Sequence, residues 1–255
     1  ENGWVFGEKN LAMMGWREAQ LAADPGAAPL LLVDGKTPAV GTRMRNPDYA
    51  EVLKRLGREG FDGFYRGEVA QRLVDGVRAA GGIWTMEDLA QYRVVEREPL
   101  VFAHRGSTVV TAPPPSSGGI ALAQTLQILD GDDWAKRSEL DRLHLRIEAM
   151  RRAYRDRAVF LGDPDFVDVP VALLTNPAYA AGLRAGIHPT RATPSDLLPG
   201  VTAIERPDTT HFSIIDAEGN IASVTQTVNL PYGNAMVIPG TGFLLNNEMD
   251  DFSVK

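Results

Sequence analysis

Cysteine does not occur anywhere in the 255 residues. Disulfides, thiolate nucleophiles and cysteine-based zinc sites are therefore excluded, while the compartment is left open. Positive charge is also short: 26 Lys and Arg face 33 Asp and Glu, a net charge of −7, with no polybasic run. A nucleic-acid partner is not expected, because phosphate binding needs clustered lysine and arginine to displace counterions. The longest apolar stretch, around residues 27 to 33, is far below the roughly 18 residues that span a bilayer, so no membrane span is expected. Neither a His-Glu-x-x-His cluster nor a Gly-x-Ser-x-Gly elbow is present among or around the four histidines, His104, His144, His188 and His211. Metal hydrolysis and Ser-His-Asp chemistry thus lack their usual signatures, and neither a metal nor a cofactor is expected. His144 has no second ligand at metal spacing and reads as a packing or capping residue. The amino terminus, Glu1-Asn2-Gly3-Trp4-Val5-Phe6-Gly7, has no initiator methionine, no basic segment and no long apolar core. It reads as an internal start rather than an intact signal peptide.

What is present suits a folded chain. Hydrophobic residues make up 44% and charged residues 23%, the length allows a sizeable core, and one domain is the default. Helices are predicted from 13 to 23, ended by Asp24-Pro25-Gly26, and from 48 to 58, where Tyr49, Val52, Leu53 and Leu56 make one apolar face. Another is predicted from 67 to 80, with Val69, Leu73 and Val77 on its face and Gly81-Gly82 as its stop. Thr85 with Asp88 three residues on predicts a capped short helix to Tyr92. Residues 100 to 112 alternate like a strand and run into Pro113-Pro114-Pro115-Ser116-Ser117-Gly118-Gly119. That run lacks the Gly-Lys-Ser/Thr ending of a phosphate cradle and reads as a rigid turn capping a helix over 120 to 129. The carboxylates Asp130, Asp132 and Asp133 read as a solvated turn. A long helix over 138 to 159, a short one near 177 to 185 and a proline-bearing exposed connector from 186 to 208 follow. Helices succeeded by late strands, with no internal repeat, fit an α+β arrangement.

The most informative stretch begins at Pro207. Asp208-Thr209-Thr210-His211-Phe212-Ser213-Ile214-Ile215 suits a half-buried strand, Ala217-Glu218-Gly219-Asn220 a turn, and Ile221 to Asn229 a return strand. Thr209 stands at the start of the first strand and Thr227 late in the second. Both read either as ordinary strand threonines or as parts of a nucleophile. A threonine hydroxyl attacks well only with a base in reach, and cleavage before Thr209 would supply its own α-amine, which has a near-neutral pKa. Further on, Asn246-Asn247-Glu248-Met249-Asp250-Asp251 crowds polar groups beside Gly242-Phe243-Leu244-Leu245. It reads either as a surface loop or as a binding segment.

Taken together, Asp208 to Ser213, Gly219-Asn220, Thr227-Val228-Asn229 and the run Thr241-Gly242-Phe243-Leu244-Leu245-Asn246-Asn247-Glu248-Met249-Asp250-Asp251-Phe252-Ser253 resemble the start of the small subunit of γ-glutamyltranspeptidases. Upstream, Phe64-Tyr65-Arg66-Gly67-Glu68, the Pro113 to Gly119 run and Leu161-Gly162-Asp163-Pro164 resemble large-subunit segments in the family's order. The resemblance covers residues 40 to 255. It implies an incomplete four-layer αββα N-terminal-nucleophile sandwich, with 1–208 belonging to the large subunit and 209–255 to the small one. Thr209 becomes the nucleophile after self-cleavage at Asp208-Thr209, Thr227 orients it, and Asn229, Glu248 and Asp251 hold the substrate's α-ammonium. The implied reaction takes a γ-glutamyl group from glutathione or a related amide to water or to an amino acid or peptide acceptor, in a periplasmic or secreted setting. The paired glycines of the family's oxyanion hole and the serines near them have no counterpart before Lys255, and its carboxylate-gripping arginine is unmatched upstream. The chain therefore reads as the central portion of a precursor. A related amidase, such as a cephalosporin (glutaryl) acylase, and an inactive unprocessed fragment are the alternatives.

Overall fold

The computed structural model describes residues 1–130, 133–198 and 209–251. Helices and short antiparallel strands give an α+β protein with two compact units, Glu1–Val94 with Glu205–Lys255, and Val95–Ile204.

In the first unit, helix Gly67–Ala79 buries Val69, Leu73 and Val77 as their spacing predicts. Helix Pro47–Glu59 starts on Pro47 with Asn46 as its cap, yet only Val52 is buried; Tyr49, Leu53 and Leu56 stay exposed. A helical period identifies a face but not how much of it finds a neighbour. Thr85 and Asp88 close a reciprocal capping box on helix Met86–Gln91. The first helix is longer than predicted, Glu8–Ala23.

Between these helices runs a two-residue strand, Val237–Ile238, paired with Phe243–Leu244. Successive strand residues point to opposite sides. Val237 accordingly joins a cluster with Phe6, Met14, Leu21 and Leu31, while Ile238 joins Val52, Val69, Leu73 and Val77. The Asp24 carboxylate fastens the strand, with Oδ1 accepting from the backbone N–H of Gly26 at 3.1 Å, Ala27 at 2.7 Å and Val237 at 3.1 Å. A Cβ on Gly26 would lie 1.9 Å from the Val237 carbonyl oxygen, so only glycine allows this approach.

Strands Thr210–Ile215 and Ile221–Gln226 form the expected hairpin, with Asp216 Oδ1 accepting from Glu218 N and Asn220 N in the turn. Its burial differs from expectation: both strands are almost wholly exposed, including Phe212 and Ile214. Alternation specifies two faces, and among the described residues no second layer covers the apolar one.

In the second unit, the single strand-like stretch proves to be a hairpin, Leu100–His104 with Ser107–Thr111. It reverses at Arg105 and Gly106, whose φ angles are 48° and 82°. Such left-handed pairs suit a tight hairpin turn, and Arg105 gave no glycine-like signal at the first position. Asp130 is not simply solvated, because it pairs with His104 Nδ1 at 2.8 Å. Helices Gly118–Asp130, Glu139–Phe160 and Pro177–Ala185 pack around Ile128, Leu145, Ala149 and Ala180. His144 Nε2 meets the His188 carbonyl at 2.8 Å, just beyond the end of helix Pro177–Ala185.

Glu148, 1% exposed, accepts from Arg151 and Arg152, each at 2.7 Å, and from both the N–H and hydroxyl of Thr193. Burial pushes its pKa up, but the hydrogen bonds from Thr193, Arg152 and Arg151 outweigh that and leave it at about 2. Thr193 is thereby fastened at the start of what sequence reads as an exposed connector; the remainder from 199 to 208 lies outside the described residues. Among the described residues no helix is long and apolar enough to cross a membrane.

Because the Glu148 carboxyl is depressed, the stability it contributes is present above the ordinary carboxylate range and is lost as pH falls towards about 2. Glu148→Ala strands the buried Arg152 charge and is expected to cost about 3–5 kcal/mol. Denaturant unfolding of the variant and of the native chain at neutral pH and near pH 2 checks both statements; a loss below about 1 kcal/mol at neutral pH contradicts the first.

Candidate functional site

Thr209 lies immediately before the hairpin and is exposed; Asp208 lies outside the described residues. The register pairs Thr210 with Gln226. Carried one step further, the same antiparallel register sets Thr209 opposite Thr227. No hydrogen bond joins the two among the described residues; instead Thr227 Oγ1 accepts from Asn229 N at 2.8 Å. Alternation puts His211 on the same face as Thr209. Its Nδ1 stands 2.8 Å from Thr225 Oγ1, and Nε2 stands 3.3 and 3.4 Å from the hydroxyls of Ser213 and Ser223. The hairpin therefore presents a row of hydroxyls and one imidazole on the side that carries both threonines.

After Thr227 the backbone turns sharply. Asn229, Tyr232, Gly233 and Ala235 all have positive φ. Asn229, at 68°, is of a residue type that tolerates this region. Its Nδ2 donates to the Asn247 carbonyl at 2.9 Å, Leu230 N donates to Asn247 Oδ1 at 3.0 Å, and Asn247 N donates to the Val228 carbonyl at 3.2 Å. Arg17 Nη2 also donates to the Gly233 carbonyl at 2.8 Å. From the other side, Asn46 caps its helix through Oδ1 and donates Nδ2 to the Gly242 carbonyl at 2.8 Å. Gly242 has φ 62°, and a Cβ there would stand 2.1 Å from Asn46 Oδ1. A side chain at this position would displace the segment from its helix.

That segment ends in the short helical turn Glu248–Asp251. Asn246 Oδ1 accepts from Glu248 N at 3.0 Å and the Asn247 carbonyl accepts from Asp250 N at 3.0 Å. Glu248 is half-buried, and its Oε1 is buried without a hydrogen-bond donor among the described residues. Burial raises its pKa first, and the Asp251 carboxyl beside it raises it further. Two acids side by side, one with an unsatisfied buried oxygen, form an arrangement that a cation completes. Asn229, Glu248 and Asp251 are thus gathered through Asn247, while the threonine pair stands on the hairpin that leads into the same turn. Sequence reading takes Asn46-Pro47 as a helix start and Asn247 as part of a polar run, and gives neither a role at the site. The signals were an asparagine ahead of Pro47 and an asparagine within a polar run, both common capping and turn positions.

The whole chain, residues 1–255, matches the family model for gamma-glutamyltranspeptidase. A glutathione hydrolase proenzyme from Pseudomonas sp. (strain A14) is 46% identical over 218 residues, 84% of this chain and 38% of that protein. Among solved structures, the gamma-glutamyltranspeptidase of Helicobacter pylori superposes with a TM-score of 0.75 at 32% identity, over 81% of this chain and 60% of that one. The cephalosporin acylase of Bacillus halodurans superposes with a TM-score of 0.86 at 27% identity, over 98% and 46%. The chain spans about two fifths of the length of the curated relatives it matches.

A ligand ammonium bound between Glu248 and Asp251 favours ionised Glu248 and displaces its proton. Because the Glu248 pKa is raised, affinity for L-glutamate, as a probe, is expected to fall as pH is lowered through that pKa and to level off above it. Glu248→Gln keeps an acceptor but cannot titrate, so it should flatten the dependence. Calorimetric titration at several pH values decides; a flat native profile contradicts the carboxylate-pair site.

Proposed function

The chain belongs to the γ-glutamyltranspeptidase family, and from that premise we propose that it carries the large-to-small subunit junction of a self-processing γ-glutamyl transferase and hydrolase. Thr209 Oγ attacks the Asp208 carbonyl, the acyl group moves from nitrogen to oxygen, and water hydrolyses the ester, leaving residues up to 208 on one polypeptide and Thr209 as the amino terminus of the other. The freed α-amine then serves as the base for the Thr209 hydroxyl. Thr209 takes the γ-glutamyl group of glutathione or a related amide, and water or an amino acid or peptide acceptor releases it. Thr227, which the hairpin register carried one step further sets opposite Thr209, orients the hydroxyl. Asn229, Glu248 and Asp251 receive the donor's α-ammonium and so set the γ-carbonyl at the nucleophile.

The observation that carries this reading is the Glu248 and Asp251 pair with its unsatisfied buried oxygen. A γ-glutamyl donor brings the missing cation, whereas a glutaryl donor of the same length does not, which sets the acylase alternative second despite the likeness to an acylase structure. The exposed apolar face of the hairpin, with Phe212 and Ile214, fits the four-layer sandwich of the N-terminal-nucleophile hydrolases, in which such a face receives another layer. A periplasmic or secreted setting rests on the family resemblance alone.

In the complete protein, Thr209→Ala is expected to abolish self-cleavage, and Thr209→Ser to retain some of it, since only the alanine lacks a hydroxyl. A denaturing gel reads the outcome, and two chains from the alanine variant would remove Thr209 as the nucleophile. For the substrate, kcat/KM for a γ-glutamyl anilide is expected to exceed that for the matching glutaryl anilide by at least about 100-fold, roughly 3 kcal/mol of transition-state binding. Equal values favour the acylase.

A further inference from the structure

Asn247 is the common fastening of the turn after Thr227 and the carboxylate turn. Its Oδ1 accepts from Leu230 N, its N–H donates to the Val228 carbonyl, and its carbonyl accepts from both Asn229 Nδ2 and Asp250 N. We propose that Asn247 is a positioning residue for donor recognition, fixing the orientation of the Asn229 amide and holding Glu248 in register with it; this deepens the reading of the site given above and rests on it.

The orientation follows from what each atom is able to do. A backbone carbonyl only accepts, so the Asn229 group that meets the Asn247 oxygen must be its NH2. The acceptor left on Asn229 is then Oδ1. An ammonium has three donors and no acceptor, and Asn229 Oδ1 with the Glu248 and Asp251 carboxyls supplies three acceptors. Were the amide reversed, its NH2 would face the ammonium, donor against donor. The choice of orientation therefore belongs to Asn247, and its side chain keeps the carbonyl in place by holding Leu230 N. Because Asn247 directly precedes Glu248, one hydrogen-bond set aligns the neutral acceptor with the charged ones.

The test uses the complete protein with Asn247→Ala, which removes the Oδ1 acceptor, and Asn247→Asp, which keeps it. Self-cleavage, melting temperature, and kcat and KM for γ-glutamyl and glutaryl anilides are measured for each. The alanine variant is expected to process, to raise KM for the γ-glutamyl donor about tenfold with kcat little changed, and to narrow the preference over glutaryl by the same factor. The aspartate variant is expected to keep KM and preference within about threefold of native. An alanine variant that retains native KM and preference overturns the proposal while leaving the ammonium site standing. Equal loss for both donors, or an aspartate variant that melts like native yet loses the preference, also overturns it, because either points to general support. If the native protein itself shows no preference, the parent reading fails and this inference falls with it.

Discussion

The first unit hangs on a strand only two residues long. Val237 and Ile238 face opposite ways, and each completes a different apolar cluster on a different set of helices. So short a strand has little stability of its own. Its position is set instead by burial on both sides and by the three backbone donors that Asp24 Oδ1 collects, one from the strand and two from its own turn. The candidate site residues lie on either side of this strand in sequence, on the hairpin and loops that lead into and out of it. The packing that holds this part of the chain is therefore supplied by the slot around the strand rather than by the candidate site.

Two glutamates show how one residue type serves opposite ends. Glu148 is buried, yet every oxygen has donors, two of them from guanidinium groups, and its carboxyl is held well below the ordinary range. Glu248 is less buried but lacks a donor for one oxygen and has Asp251 beside it, so its carboxyl is driven upward. The first has its counter-charge within the fold and contributes stability. The second has none among the described residues, and that deficit is the feature on which its proposed binding role rests.

Much of the helical framework was legible because its signals are local. The Thr85 and Asp88 box and the 3.6-residue period of Val69, Leu73 and Val77 each act within one or two turns. The hairpin at 210 to 226 was legible from alternation and an Asp-Gly-Asn-rich turn. What escaped depends on distant partners. Arg105 at a left-handed position, the fastening of Thr193 to Glu148 and the failure of Tyr49, Leu53 and Leu56 to find cover have no local mark. The site residues were proposed from resemblance, and the gathering of Asn229, Glu248 and Asp251 through Asn247 depends on hydrogen bonds spanning 17 and 18 residues, which spacing alone does not encode.

The proposed scissile bond and the packing boundary of the fold do not coincide. Residues after Glu205 share a compact unit with Glu1–Val94, so a cut before Thr209 severs the backbone without parting the body it belongs to. Val237, Ile238 and Gly242 stay lodged among side chains contributed by the other polypeptide. Under the proposed cleavage, the two polypeptides would share a former protein interior as their interface. Exchange of subunits between molecules would then have to open that shared interior.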